Sequence, residues 1–155
     1  FAPAMDSLRA GGLAEPVCAV ASAGIPLLGI CLGHQLLFSE SEEHGVHAGL
    51  DLLEGRVRRF PPGPKVPHMG WNEVRQVRPS PLFDGIDDGA FFYFAHSYFT
   101  EPADAAVTIG ATDYAGEFAS AVARDNIFGT QFHPEKSGPV GLRMLTNFCR
   151  LCGEQ

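Results

Sequence analysis

Five residues, Gly29-Ile30-Cys31-Leu32-Gly33, hold a cysteine in a G-x-C-x-G pattern, the thiol counterpart of the G-x-S-x-G nucleophile elbow. The apolar run 26–30 ahead of it reads as a short buried parallel strand, and a helix is expected over 33–40. A sharp turn between the two brings their backbones together, so positions 29 and 33 call for glycine, and the Cys31 sulfur is lifted above the sheet edge. The helix N-terminus is expected to lower the thiol pKa, and the Leu32 amide is placed to donate to a developing oxyanion. On these five residues alone, a buried cysteine in a tight turn is the competing reading.

A nucleophilic thiol needs a base, and Gly129-Thr-Gln-Phe-His133-Pro134-Glu135 supplies one. Pro134 disfavours the helical region for His133 and holds it extended. Residues two apart in an extended segment share a face, so Glu135 can reach the imidazole, fix its tautomer and stabilise its charged form. The strand expected over 127–131 delivers His133 to a strand end, where α/β sheets place their sites. Taken alone, H-x-E also fits a surface ion pair. Together, Cys31, His133 and Glu135 read as a catalytic triad for thiol-dependent hydrolysis.

The elements that position these groups follow from patterning. Helices are expected over 1–9, 15–23 and 138–151, the last with Leu142, Leu145 and Phe148 at helical spacing. Strands are expected over 56–60, 71–77, 91–99, 106–113, 118–123 and 127–131, with a tight turn at Arg124-Asp125-Asn126. This is an α/β fold, read as a mixed sheet with helices. At 155 residues, 45% hydrophobic and 19% charged, the chain fits one globular domain over 1–155. The net charge of −7 disfavours nucleic acid as a partner. No apolar run reaches the length of a membrane span.

Cys18, Cys31, Cys149 and Cys152 form no disulfide framework, so a cytoplasmic location is expected. Cys149-x-x-Cys152 reads as the end of a helix, because a tetrahedral metal site needs a second pair. No metal is expected: His34, His44, His47, His68 and His96 make no convincing ligand set, and His68 and His96 read as loop and packing residues.

With their surroundings, these residues resemble the class I glutamine amidotransferases, which use a Cys-His-Glu triad. The stretches Gly29-Ile-Cys-Leu-Gly-His-Gln-Leu-Leu-Phe38, Ser41-Glu-Glu-His-Gly45, Val66-Pro-His-Met-Gly-Trp-Asn72, Tyr93-Phe-Ala-His-Ser-Tyr98 and Gly129-Thr-Gln-Phe-His-Pro-Glu-Lys-Ser-Gly138 carry the likeness over essentially the whole chain. They are most similar to one branch, the glutaminase subunits of imidazole glycerol phosphate synthase in histidine biosynthesis. The resemblance implies a three-layer, flavodoxin-like mixed sheet, no cofactor, and L-glutamine as substrate. It implies Gln35, Glu43, Ser97 and Tyr98 as glutamine-binding residues. Trp71, Tyr93 and Lys136 would face a (β/α)8-barrel cyclase subunit that receives ammonia in a heterodimer. For Glu43 the competing reading is a solvated acidic run over 40–43; for Trp71 and Tyr93 it is the core.

The same resemblance implies two further strands and a glycine-rich oxyanion loop ahead of the position matching Phe1. The expectation is therefore an N-terminally truncated chain lacking the first strands, with one oxyanion donor at Leu32 and an open sheet edge. Two other functions stay open on the residues alone: a stand-alone cysteine hydrolase or peptidase, and a non-catalytic binding subunit.

Overall fold

The computed structural model describes residues 1–153. Two helices open the chain, α1 (Ala2–Ala10) and α2 (Ala14–Ser22), followed by β1 (Leu27–Ile30) and α3 (Leu32–Leu36). The strand-rich part holds β2 (Phe38–Ser41), β3 (His47–Ala48), β4 (Leu53–Arg59), β5 (His68–Gln76), β6 (Ala90–His96), β7 (Tyr98–Pro102), β8 (Thr108–Asp113), β9 (Glu117–Arg124) and β10 (Ile127–Thr130). Helix α4 (Gly138–Gly153) closes the described chain. The strands form one open mixed sheet flanked by helices, as the patterning implies.

Its order runs β3-β2-β4-β7-β9-β8-β5-β6, with β10 joined to β9 and β1 to β10. The β1–β10 pair is parallel, with Gly29 opposite Gly129 and Ile30 opposite Thr130. Among the described residues β1 pairs with no other strand, so its outer edge is open. The sheet divides the core. On one face Leu82, Phe92, Phe94, Phe128 and Phe132 pack with Met144 of α4. On the other, Phe1, Met5 and Ala21 of the first helices pack with Leu36, Leu37, Val122 and Ile127. Neighbours such as Ile127 and Phe128 thus enter different cores, as period-two alternation requires of a strand buried on both sides.

Four expectations need correction. The helix after Cys31 ends at Leu36; Phe38–Ser41 is instead strand β2, paired in parallel with β4. Phe38 is fully buried there, and that non-local pairing outweighs local helix preference. The single strand expected over 91–99 breaks at Ser97, because β6 pairs with β5 while β7 turns to β4 and β9. On α4 the buried residues are Gly141, Met144 and Asn147, and Leu142 is exposed. A Cβ on Gly141 would lie 1.9 Å from the Pro134 carbonyl oxygen, so the helix seats its glycine on the turn that follows His133. His68 and His96 lie in strands rather than loops.

Candidate active site

The elbow forms where the sequence places it. Cys31 has φ 51° and ψ −105°, a conformation rare for any residue with a side chain. Its amide still donates to the Thr130 carbonyl at 2.8 Å, continuing the ladder one residue past β1. The two glycines differ in need. A Cβ on Gly29 would sit 2.6 Å from the Gly33 carbonyl oxygen, so the close approach is real there. A Cβ on Gly33 would meet nothing within 4 Å, which corrects half of the glycine argument.

The thiol pKa also departs from expectation: it is raised. Burial is the largest cause and outweighs the Leu32 amide, which faces the sulfur and favours the thiolate. The Glu135 charge adds to the rise, while Gln131 and Lys136 oppose it. A five-residue helix supplies one turn of aligned dipoles, too little to offset desolvation.

His133 is extended, at φ −102° and ψ 96°. Its Nδ1 lies 2.6 Å from Glu135 Oε1. The pairing arises differently from the same-face argument, because Pro134–Lys136 is a 3-10 turn that folds the carboxylate back onto the ring. A hydrogen-bond clamp fixes the loop. The His133 amide donates to the Tyr93 carbonyl at 2.8 Å, the Tyr93 amide donates to Ser137 Oγ at 3.0 Å, and Ser137 Oγ donates to the His133 carbonyl at 2.6 Å. Since β1 and β10 are parallel and in register, Cys31 and the His133 loop leave the same end of the sheet.

Beside the sulfur lies a cleft of about 280 Å³ whose lining includes Cys31, Leu32, Gln35, Glu43, Ser97 and Tyr98. It therefore gathers six residues expected at the site from three separate stretches. Gln35 Nε2 donates to the Tyr98 carbonyl at 3.0 Å and to Gln131 Oε1 at 3.1 Å, leaving its own oxygen as an acceptor. Glu43 is partly buried against the cleft rather than part of a solvated run. Ligand pockets for drug-sized molecules start near about 300 Å³, so a cleft of this size suits a single amino acid.

Trp71 and Tyr93 are cross-strand partners on the β5–β6 hairpin, their rings 6.1 Å apart and edge to face. Trp71 is exposed and Tyr93 half-buried; Lys136 is exposed on the turn after His133. Neither aromatic ring belongs to the core. Cys149 and Cys152 are both exposed near the end of α4.

Several residues at the site escaped the sequence reading. Gln131 is fully buried, and its Nε2 points at the Cys31 sulfur at 3.8 Å. Its signal was its place two residues before His133 at the strand end. The Ala95 carbonyl, 4.0 Å from the sulfur, had none, since any residue type offers a carbonyl. Met69 and Phe91, exposed beside Trp71 and Tyr93, follow from strand alternation once β5 and β6 are known to pair.

A family model for class-I glutamine amidotransferase matches residues 3–152. The imidazole glycerol phosphate synthase subunit HisH of Moorella thermoacetica is 57% identical over 151 residues, covering 97% of this chain and 72% of that protein. The HisH subunit of Methanocaldococcus jannaschii is 46% identical, covering 97% and 76%. Among solved structures, a glutamine amidotransferase superposes with a TM-score of 0.72 at 19% identity, over 96% of this chain and 72% of that one. Another, from Thermotoga maritima, gives 0.61 at 20% identity, with 88% of this chain and 52% of that chain covered. At such identities the structures speak for the fold, and the sequence matches speak for the family. On those matches, the chain belongs to the class-I glutamine amidotransferases.

Proposed function

We propose that the chain, as a single domain over 1–155, is the glutaminase subunit of an imidazole glycerol phosphate synthase. It hydrolyses L-glutamine and passes the ammonia to a (β/α)8-barrel cyclase, which makes imidazole glycerol phosphate and the aminoimidazole carboxamide ribonucleotide. One observation carries the reading: Cys31, Leu32, Gln35, Glu43, Ser97 and Tyr98 line one cleft, and the His133–Glu135 pair leaves the same end of the sheet.

The chemistry follows from that arrangement. Glutamine enters with its α-ammonium on Glu43 and its side chain toward Cys31, held by Gln35 and the Ser97–Tyr98 segment. His133 takes the thiol proton, and the sulfur attacks the carboxamide carbon. The resulting oxyanion accepts from the Leu32 amide. The C–N bond breaks as His133 returns its proton to the departing ammonia, leaving a γ-glutamyl thioester. His133 then deprotonates a water that attacks the thioester; the C–S bond breaks, glutamate leaves and the thiol is restored. Glu135 holds the imidazole and stabilises its charged form through both halves. The raised thiol pKa fits an enzyme whose nucleophile stays protonated until a partner or substrate rearranges the cleft.

Met69, Trp71, Phe91 and Tyr93 form an apolar face on the β5–β6 hairpin, with Lys136 on the neighbouring turn. Clustered exposed aromatic and methionine side chains suit a subunit interface, and this face is where the cyclase would dock. Such a subunit would work in the cytoplasm, beside its partner.

The test is glutamate release with and without the cognate cyclase and its nucleotide ligand. Release is expected to be low alone and high in the complex. Cys31→Ala should reduce it by at least about 10⁴-fold. Unchanged release by that variant would refute the assignment, and activity on peptides without glutaminase activity would move the chain to another thiol hydrolase class.

A further inference from the structure

The β5–β6 hairpin has an inner face opposite its apolar outer one. His68 and His96 sit directly across from each other in the ladder. Both are buried, and His68 Nδ1 lies 2.9 Å from His96 Nε2. Each end of this pair is tied. Asn72 Nδ2 lies 3.3 Å from His68 Nε2, and His96 Nδ1 lies 2.8 Å from the Tyr98 carbonyl oxygen.

The hydrogen positions along this line are dictated rather than chosen. The Asp113 carbonyl accepts from Asn72 Nδ2 at 3.1 Å, and Asn72 Oδ1 accepts from the Glu73 amide, so the amide orientation is fixed. An amide nitrogen only donates, so His68 Nε2 accepts and the His68 proton sits on Nδ1. That proton is donated to His96 Nε2, which leaves the His96 proton on Nδ1. A carbonyl only accepts, so the Tyr98 end independently requires the same His96 tautomer. Adding a proton to either ring would set two donors face to face. Burial acts in the same direction, holding His68 down to about 4 and His96 to about 3. His68 is also stacked between Tyr114 at 3.9 Å and Phe94 at 4.8 Å, so its ring cannot swing away.

The two ends of the line matter for the reaction. Asn72 and His68 belong to β5, whose opposite face carries Met69 and Trp71. The Tyr98 carbonyl also accepts from Gln35, and His96, Ser97 and Tyr98 all line the cleft. We infer that Asn72, His68 and His96 are positioning residues: a hydrogen-bond relay of fixed polarity that ties the partner-facing strand β5 to the Ser97–Tyr98 backbone holding glutamine. The inference rests on reading that cleft as the glutamine site. A partner that shifts β5 then moves the glutamine-holding backbone through His68 and His96 rather than through loosely packed side chains.

The test pairs spectroscopy on the unaltered protein with kinetics of the complex. Imidazole ¹⁵N spectra near neutral pH should show both rings uncharged and protonated on Nδ1. In the cyclase complex, His96→Phe should raise KM for glutamine about tenfold, the cost of one lost hydrogen bond, while kcat changes much less. His96→Asn, which keeps a donor near the place of Nδ1, should recover most of that rise. His68→Phe keeps the ring stack but cuts the line, and should shrink the gain in kcat/KM on adding cyclase. The His68→Phe/His96→Phe double variant should cost about as much as the worse single one, since one relay is cut twice. Fully additive losses, or either ring protonated on Nε2 in the unaltered protein, overturn the relay. Absence of glutamate release by the unaltered complex overturns the glutamine reading instead, and the ring spectra still decide the hydrogen-bond line.

Discussion

The His133 loop and the inner face of the β5–β6 hairpin both present histidine, under opposite conditions. His133 is partly exposed, and its Nδ1 meets the Glu135 carboxylate at 2.6 Å. His68 and His96 are enclosed by Phe60, Phe94, Tyr114 and Phe118 and meet only neutral partners, a setting that rejects the charged ring. In the proposed mechanism, one residue type thus serves as a proton carrier at one point and as a hydrogen-bond link close by. Access to water and to a carboxylate decides which. The two regions are also joined, because the Tyr93 backbone of β6 clamps the His133 loop.

The comparison breaks most sharply at Glu135. Glu135→Gln keeps the shape and removes the charge, so kcat for glutamate release should fall about 10²- to 10⁴-fold. The same change should shift Cys31 alkylation to lower pH, because the Glu135 charge raises the thiol pKa. An unchanged alkylation profile would show that this charge is not felt at the sulfur.

Acid stability sharpens the other side. His34 and His96 are held to about 3 and His68 to about 4, against an ordinary value of 6.5. Between those values the unfolded chain binds more protons than the folded one, so folding stability rises with pH across that window. The contribution is complete above 6.5 and lost as pH falls toward 3. Each histidine adds a slope of about 1.4 kcal/mol per pH unit, readable from denaturant midpoints. A flat profile between pH 6 and 4 would mean the rings are not buried neutral.

The hairpin's outer face predicts a smaller effect on binding. Trp71→Ala should weaken cyclase binding about 30-fold, as loss of an aromatic anchor does, while the melting temperature of the free chain moves little. A large drop in stability without loss of affinity would return Trp71 to the core. The smallest pair tests the elbow. Gly29→Ala should destabilise by roughly 1–3 kcal/mol through its clash with the Gly33 carbonyl, whereas Gly33→Ala should stay within about 0.5 kcal/mol.

What the sequence determined by itself was local. The elbow at Cys31, the extended His133 before Pro134, the strand-by-strand alternation and the closing helix all depend on residues within a few positions of one another. Glycine, proline and period-two patterning act at that range, so they were legible. Tertiary structure decided whatever depended on distant partners. Phe38–Ser41 became a strand because β4 lies beside it, and Ser97 broke a strand because its two halves pair with different neighbours. The thiol pKa rose because burial and the Glu135 charge, more than a hundred positions downstream, outweigh one short turn of helix. His68 and His96 show the same limit. Their types were plain in the sequence, but their hydrogen-bond polarity exists only because the β5–β6 register sets them face to face between the Asn72 side-chain amide, which donates, and the Tyr98 carbonyl, which accepts. Spacing along a chain reports conformation over short distances. Desolvation, charge and cross-strand register are properties of the assembled fold.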